Sequence, residues 1–180
     1  MVTVFAQGIF IVVFATSFAG KIHDVGRFRR TIMAFDVLPG RFSTSAARLL
    51  VTCEGILVVL LLAGLLVPPS RFTAEAATVA GLTLAEILLI AYTVALSRVK
   101  VRQVRVSCNC FGVGVTVVSW LDVVRNGLFL LIGGLGLAAG HAAPSLADRA
   151  FIVLVAAPVA LLLINFSDVV SVSQKSFTAG

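Results

Sequence analysis

Charged side chains are scarce: they make up 12% of the 180 residues, about half the share that a water-soluble domain carries. With 59% hydrophobic residues and a mean hydropathy of +1.10, that scarcity excludes a soluble globule. Acidic residues are the rarer sign, 8 against 14 Lys and Arg. The surplus cations stand beside apolar runs and are not interleaved with aromatics, in a chain with one Trp and one Tyr, so no nucleic-acid surface is expected. Three cysteines and two histidines are too few for a disulfide framework or for a site built from two Cys-x-x-Cys pairs.

Long apolar runs take the place of charge. A helix needs roughly 20 such residues to cross the hydrocarbon core. The runs are continuously apolar rather than alternating, which selects helices over a closed barrel. The expected fold class is all-α, a polytopic membrane helix bundle of about five transmembrane helices, with spans near 2–20, 46–67, 75–97, 117–139 and 149–167. No positively charged stretch precedes Val2 to Ala19, and Lys21, His23 and Asp24 stand where a small-residue cleavage site would be, so the first run is expected to remain as a helix. Pro68 and Pro69 bound the second span, and Pro158 lies inside the fifth, where neighbouring helices tolerate it. No repeat, low-complexity tract or second domain is legible, so residues 1–180 are expected to form a single membrane domain.

Between the first two spans, residues 21–40 read as an amphipathic segment lying in the membrane interface: Phe28, Ile32, Phe35 and Leu38 recur at helical spacing opposite Arg27, Arg29 and Arg30. Short cytoplasmic loops carry the excess of Lys and Arg. One side holds Lys21, Arg27, Arg29, Arg30, Arg41, Arg48, Arg98, Lys100, Arg102, Arg105 and Lys175, whereas the other holds only Arg71 and Arg149. A multi-pass protein of the cell membrane is expected, with its amino terminus outside, its carboxyl terminus in the cytoplasm, and the 98–116 loop inside. Gly133, Gly134, Gly136 and Ala138 in the fourth span read as close-packing positions.

The cysteines are Cys53 and the pair Cys108 and Cys110, in Ser107-Cys108-Asn109-Cys110-Phe111-Gly112. A Cys-x-Cys pair closes a small, strained ring, and strain suits a bond that is made and broken. Asn109 tolerates a left-handed backbone, and Gly112 and Gly114 keep the following stretch pliable. The upstream cations Arg98, Lys100, Arg102 and Arg105 favour thiolates where they come close. Cys53 lies about one to two turns inside the second span, at the end that presents the loop. A three-cysteine relay is therefore one expectation, and a small buried hydrophobe is the plainer reading of Cys53. Metal binding by Cys108, Cys110, His23 and either Cys53 or Asp24 is the competing chemistry. The ligands stand on separate segments, with His141 on the opposite face, so no metal site is expected.

Ionisable residues inside spans are costly and mark candidate functional positions. Here they are Glu54, next to Cys53; Glu86, mid-way through the third span; and Asp122 and Arg125, which share a face of the fourth. Pairing of Glu54 or Glu86 with Arg125 would neutralise buried charge and tie helices together, and proton transfer during thiol exchange is the sharper role for Glu54. His23 and Asp24 read as interfacial anchors.

Gly20-Lys21-Ile22-His23-Asp24, Phe28, Leu38-Pro39, Glu54, Cys108-Asn109-Cys110-Phe111-Gly112 and Arg125-Asn126, taken in order, resemble the pattern of the methylamine utilisation protein MauE family, over most of residues 5–135. The Cys-x-Cys-Phe-Gly element is the specific part, whereas the Gly-Lys element is shared with DoxX-like membrane proteins. The resemblance implies a four-helix DoxX-like core, with Cys108 and Cys110 as the redox pair and Lys21, Glu54 and Arg125 supporting that core. It also implies a thioredoxin-like, MauD-like partner and an exported disulfide-containing substrate such as the methylamine dehydrogenase small subunit. Asn109 stands where the family commonly has Gly, and Cys53 is not part of the pattern.

These readings converge on a membrane thiol–disulfide exchange protein, with a membrane quinone as the one cofactor to consider. A non-enzymatic anchor or scaffold subunit is the alternative. A small-solute transporter is disfavoured by the scarcity of paired polar residues at mid-membrane and the lack of an inverted repeat. The resemblance prefers a pair serving the outside, whereas the cation count puts the loop inside. Three arrangements reconcile them: the pair accepts reductant from the cytoplasm, Val106 to Val118 re-enters the membrane, or the number of helices differs.

Overall fold

The computed structural model describes residues 1–35, 39–67, 72–102, 107–108, 116–117, 119–140 and 144–165. These form α1 (Val2–Ile22), α2 (Val25–Ala34), a 3-10 turn (Gly40–Phe42), α3 (Ser43–Leu66), α4 (Phe72–Val101), α5 (Trp120–Ala138) and α6 (Leu146–Ile164). Two short stretches, β1 (Ser107–Cys108) and β2 (Thr116–Val117), pair antiparallel with Ser107 opposite Val117 and Cys108 opposite Thr116. Five helices among the described residues, α1, α3, α4, α5 and α6, are long and apolar enough to cross a membrane. The fold is thus an all-α membrane bundle.

Capping explains why several boundaries differ from the expected spans. α5 begins at Trp120 rather than near 117 because Ser119 and Asp122 form a reciprocal capping box. α6 begins at Leu146, ahead of the expected 149, because Ser145 and Asp148 do the same. Pro158 is accommodated within α6 without ending it. α1 continues to Ile22, which moves Lys21 from the expected interfacial segment into the end of a span. That segment shortens to α2, whose first turn is capped by the Asp24 carboxylate accepting from the Arg27 amide at 2.7 Å. Phe28, Ile32 and Phe35 are buried as expected, and Arg27, Arg29 and Arg30 are exposed; Leu38 lies outside the described residues, as do Pro68, Pro69, Arg71 and Lys175.

α1 is the central helix: 56% of its apolar window is buried, against 17% for α6, which packs mainly on α1. Phe10 and Phe14 meet edge to face at 6.1 Å between ring centres, among Ile9, Val13, Leu57, Leu61, Leu82, Leu89 and Phe129. Lipid offers no hydrophobic drive for helix association, so close approach must come from small residues. Gly133 and Gly136 serve this way: a side chain at Gly133 would strike Glu86 and Phe10, and one at Gly136 would meet Ala6. Gly134 has open space around it and Ala138 is exposed, so the packing stripe is narrower than expected. Polar side chains close the far end, where Gln7 donates to the Leu61 carbonyl at 2.6 Å, Thr3 donates to the Gly136 and Gly140 carbonyls, and Arg149 donates to Leu65 at 2.8 Å and Val67 at 3.3 Å. Arg149 thereby satisfies the terminal carbonyls of α3, which have no partner within the helix.

Candidate functional site

A layer of buried polar groups crosses the bundle on the half that carries the end of α4 and the start of α5. Lys21, on the last turn of α1, is 2% exposed and donates to Glu54 Oε1, to Ser17 Oγ at 2.8 Å and to the Tyr92 hydroxyl at 3.2 Å. Tyr92 in turn donates to Glu54 Oε1 at 2.6 Å, and Ser17 donates to it at 3.2 Å. Ser17 and Lys21 stand four residues apart, one above the other on the same face of α1. The ammonium also sits 4.7 Å from the Tyr92 ring centre and 4.8 Å from that of Phe28, so α2 closes over it. One ion pair and its hydroxyls thus join α1, α3 and α4, under α2.

Other polar atoms in the bundle are buried with no hydrogen-bond partner among the described residues. Glu54 Oε2 is one, Glu86 Oε1 is another, and both Oδ1 and Nδ2 of the fully buried Asn126 are a third case. Gly136 against Ala6 and Gly133 against Phe10 give the register of the antiparallel pair α1 and α5. Counting seven residues from Gly133, about two turns, brings Asn126 level with Ser17. The same count on α4, from Glu86 against Gly133, reaches Thr93, the neighbour of Tyr92.

The expected pairing of Glu54 or Glu86 with Arg125 is not what forms. Glu54 is taken by Lys21. Arg125 pairs with Asp122 on its own helix at 3.4 Å and donates to the Ile164 carbonyl at 2.9 Å, tying α5 to the end of α6. The reason is local: Asp122 is already fixed one turn earlier by the capping box, where it accepts from the Ser119 amide at 2.8 Å. Glu86 instead lies against Gly133. His23 is exposed and Asp24 caps α2. Ser17, Tyr92 and Asn126 were given no role from sequence. The available signals were the single Tyr of the chain inside an apolar span and a Ser four residues before Lys21.

Cys53 is a free, half-buried thiol packed against the core cluster. Cys108 is placed by its backbone in β1, between the end of α4 and the start of α5. Its side chain, together with Asn109, Cys110, Phe111, Gly112, Gly114, Arg105 and His141, lies outside the described residues, and so do the three-cysteine relay and most of the stretch considered as re-entrant. Among the described residues no three His, Cys, Asp or Glu side chains gather as metal ligands.

An apolar crevice of about 330 Å³ opens between α2, α3 and α4, with Tyr92 in its wall. Among the described residues, Thr31 and Tyr92 are the polar side chains that line it.

A model of the family described as methylamine utilisation protein MauE matches residues 1–139. The chain belongs to the MauE family. No curated protein and no solved structure matches it. The MauE match runs from α1 to the C-cap of α5 and so spans every member of the buried polar layer and all three cysteines. This is a multi-pass membrane protein of the methylamine utilisation MauE family.

Proposed function

We propose that this MauE-family protein carries out thiol–disulfide exchange through Cys108 and Cys110, on behalf of an exported substrate and a thioredoxin-like partner. A substrate thiolate attacks the Cys108–Cys110 disulfide, forming a mixed disulfide and releasing one thiolate. The second substrate thiolate displaces the remaining cysteine, so the substrate leaves oxidised and the pair reduced. Exchange with the disulfide of the partner takes up the two electrons and restores the pair. The cycle is complete without a step at Cys53, whose half-buried packing suits a small core hydrophobe.

The position of Cys108 supports this most directly. Its paired backbone holds it between α4 and α5, on the half of the bundle that the Lys21–Glu54 layer locks. We assign Lys21, Glu54 and Tyr92 to holding that half rigid, and Asp122 and Arg125 to anchoring the start of α5. A quinone finds no fitted place in the crevice. Thr31 donates to the Arg27 carbonyl at 3.3 Å, and the Tyr92 hydroxyl already donates to Glu54, so the ring oxygens would meet hydrocarbon. No step is routed through one. The surplus of cations beside α2 and after α4 supports an amino terminus outside and residues 98–116 on the cytoplasmic side, so direct attack by an exported substrate requires that Val106 to Val118 re-enters the membrane.

Labelling with a membrane-impermeant maleimide, in intact cells and in inverted vesicles, tests this on the wild type and on C108S and C110S. Labelling of both thiols only after reduction, with substrate oxidation lost in either variant, is the expected result. Thiols that label without reductant, in variants that keep full activity, would leave the chain as a membrane scaffold with incidental cysteines.

A further inference from the structure

We propose that the crevice between α2, α3 and α4 is a binding site for a phospholipid with an anionic head, one acyl chain lying in the crevice and the phosphate meeting the arginines of α2. The crevice has the character of a hydrocarbon slot. Phe28, Ile32, Phe35, Leu49, Leu50 and Ala95 supply most of its wall. As noted for Thr31 and Tyr92, both hydroxyls are engaged elsewhere, which leaves a polar guest without a donor and suits a chain that needs none.

The charge beside the slot selects the head group. On α2 the residues that line it are Phe28, Thr31, Ile32 and Phe35. At 100° per residue Arg27 and Arg29 fall on the two flanks of that face, with Arg30 behind. All three are exposed, and Asp24, the acid beside them, lies 4.0 Å from Arg27 and is partly used as the cap of α2. Basic side chains on an amphipathic helix beside transmembrane helices attract anionic head groups. The cations stand on the helix that forms one wall of the slot, so a single lipid can use both. An occupied slot would also pack α2 onto α3 and α4, over the Lys21 ammonium that Phe28 covers.

The test is lipid retention by the purified full-length protein, equilibrated with equal amounts of phosphatidylglycerol and phosphatidylcholine of the same chains and read by native mass spectrometry. The wild type should keep phosphatidylglycerol in clear excess. Arg27→Gln and Arg29→Gln should each lower that preference about fivefold, and Arg30→Gln should lower it less, with chain binding retained. Ala46→Trp and Ala91→Trp, which fill the slot from α3 and α4, should lose the bound lipid while melting at the wild-type temperature. If Ala46→Trp unfolds, Ala91→Trp stands alone, because Ala91 is on the exposed side of α4. Equal retention of the two lipids, or retention unchanged by both tryptophans, overturns the proposal. So does stoichiometric displacement of the lipid by an added quinone, which would make the slot a quinone site.

Discussion

At the scale of single residues, the buried Lys21–Glu54 ion pair is organised around one acceptor atom. Glu54 Oε1 takes hydrogen bonds from Lys21, Tyr92 and Ser17, so losing any donor leaves the others, whereas losing Glu54 strands a buried ammonium. Breaking a buried pair from one side costs roughly 3–5 kcal/mol, while replacing both partners by apolar residues is often neutral. Glu54→Leu should therefore lower the melting temperature in detergent sharply, and the double variant Lys21→Met with Glu54→Leu should recover most of the loss. Glu54→Gln should leave the pH profile of thiol exchange unchanged, since Glu54 acts as a tie; a displaced profile would restore the proton-transfer role. Asn126 is the opposite case. With neither polar atom partnered among the described residues, Asn126→Leu removes an unmet burial cost of about 1–3 kcal/mol and should hold or raise the melting temperature. Glu54 and Arg125 were legible as candidates because ionisable residues stand out in apolar spans, and Lys21 was legible through the family resemblance. The pairing of Lys21 with Glu54 was not legible, because helical periodicity says which face a residue occupies and nothing about the height at which two helices meet.

At the scale of elements, the helices form because the chain is apolar, and they stop where caps or loops intervene. The Ser119–Asp122 box, which sets the start of α5, comes directly after the cysteine stretch. Ser119→Ala should cost about 1 kcal/mol, in the range of other lost N-caps, and it should loosen the α4–α5 connection enough to raise maleimide labelling of the reduced pair. The helix interfaces depend on glycine at close approaches. Gly133→Leu would drive a side chain into Glu86 and Phe10; overpacking of this kind costs about 1–3 kcal/mol, and a reduced folded yield on size-exclusion chromatography would report it. Gly134→Leu, one residue on, faces open space and should fold as wild type. The pair separates packing from composition, since both changes add the same hydrocarbon. All four small residues of the stripe looked alike in sequence, and only the register against α1 and α4 distinguishes Gly133 and Gly136.

At the scale of the whole molecule, α1 is the hub, packing against α3, α4, α5 and α6, and the two ends of the bundle are locked differently. One end uses the Lys21–Glu54 layer; the other uses carbonyl contacts from Gln7, Thr3 and Arg149. Arg149→Met should open the junction between α3 and α6, leaving the α3 carbonyls unpaired, and should increase protease cleavage near residues 144–149 in proteoliposomes without changing exchange by Cys108 and Cys110. Loss of exchange in that variant would mean the two ends are coupled through α1.

Composition and periodicity alone determined that the chain lives in lipid, how many helices it has to within its caps, and that α2 is amphipathic. Each follows from local burial, which every apolar run expresses wherever its neighbours lie. The tertiary structure decided which charged groups meet other helices: Lys21 with Glu54 across α1 and α3, and Arg125 with the Ile164 carbonyl at the end of α6. It also decided which glycines carry contacts and where a hydrocarbon slot opens beside basic residues. Those outcomes depend on how helices are rotated and staggered against one another. That arrangement comes from the packing of all five together, and no single span encodes it.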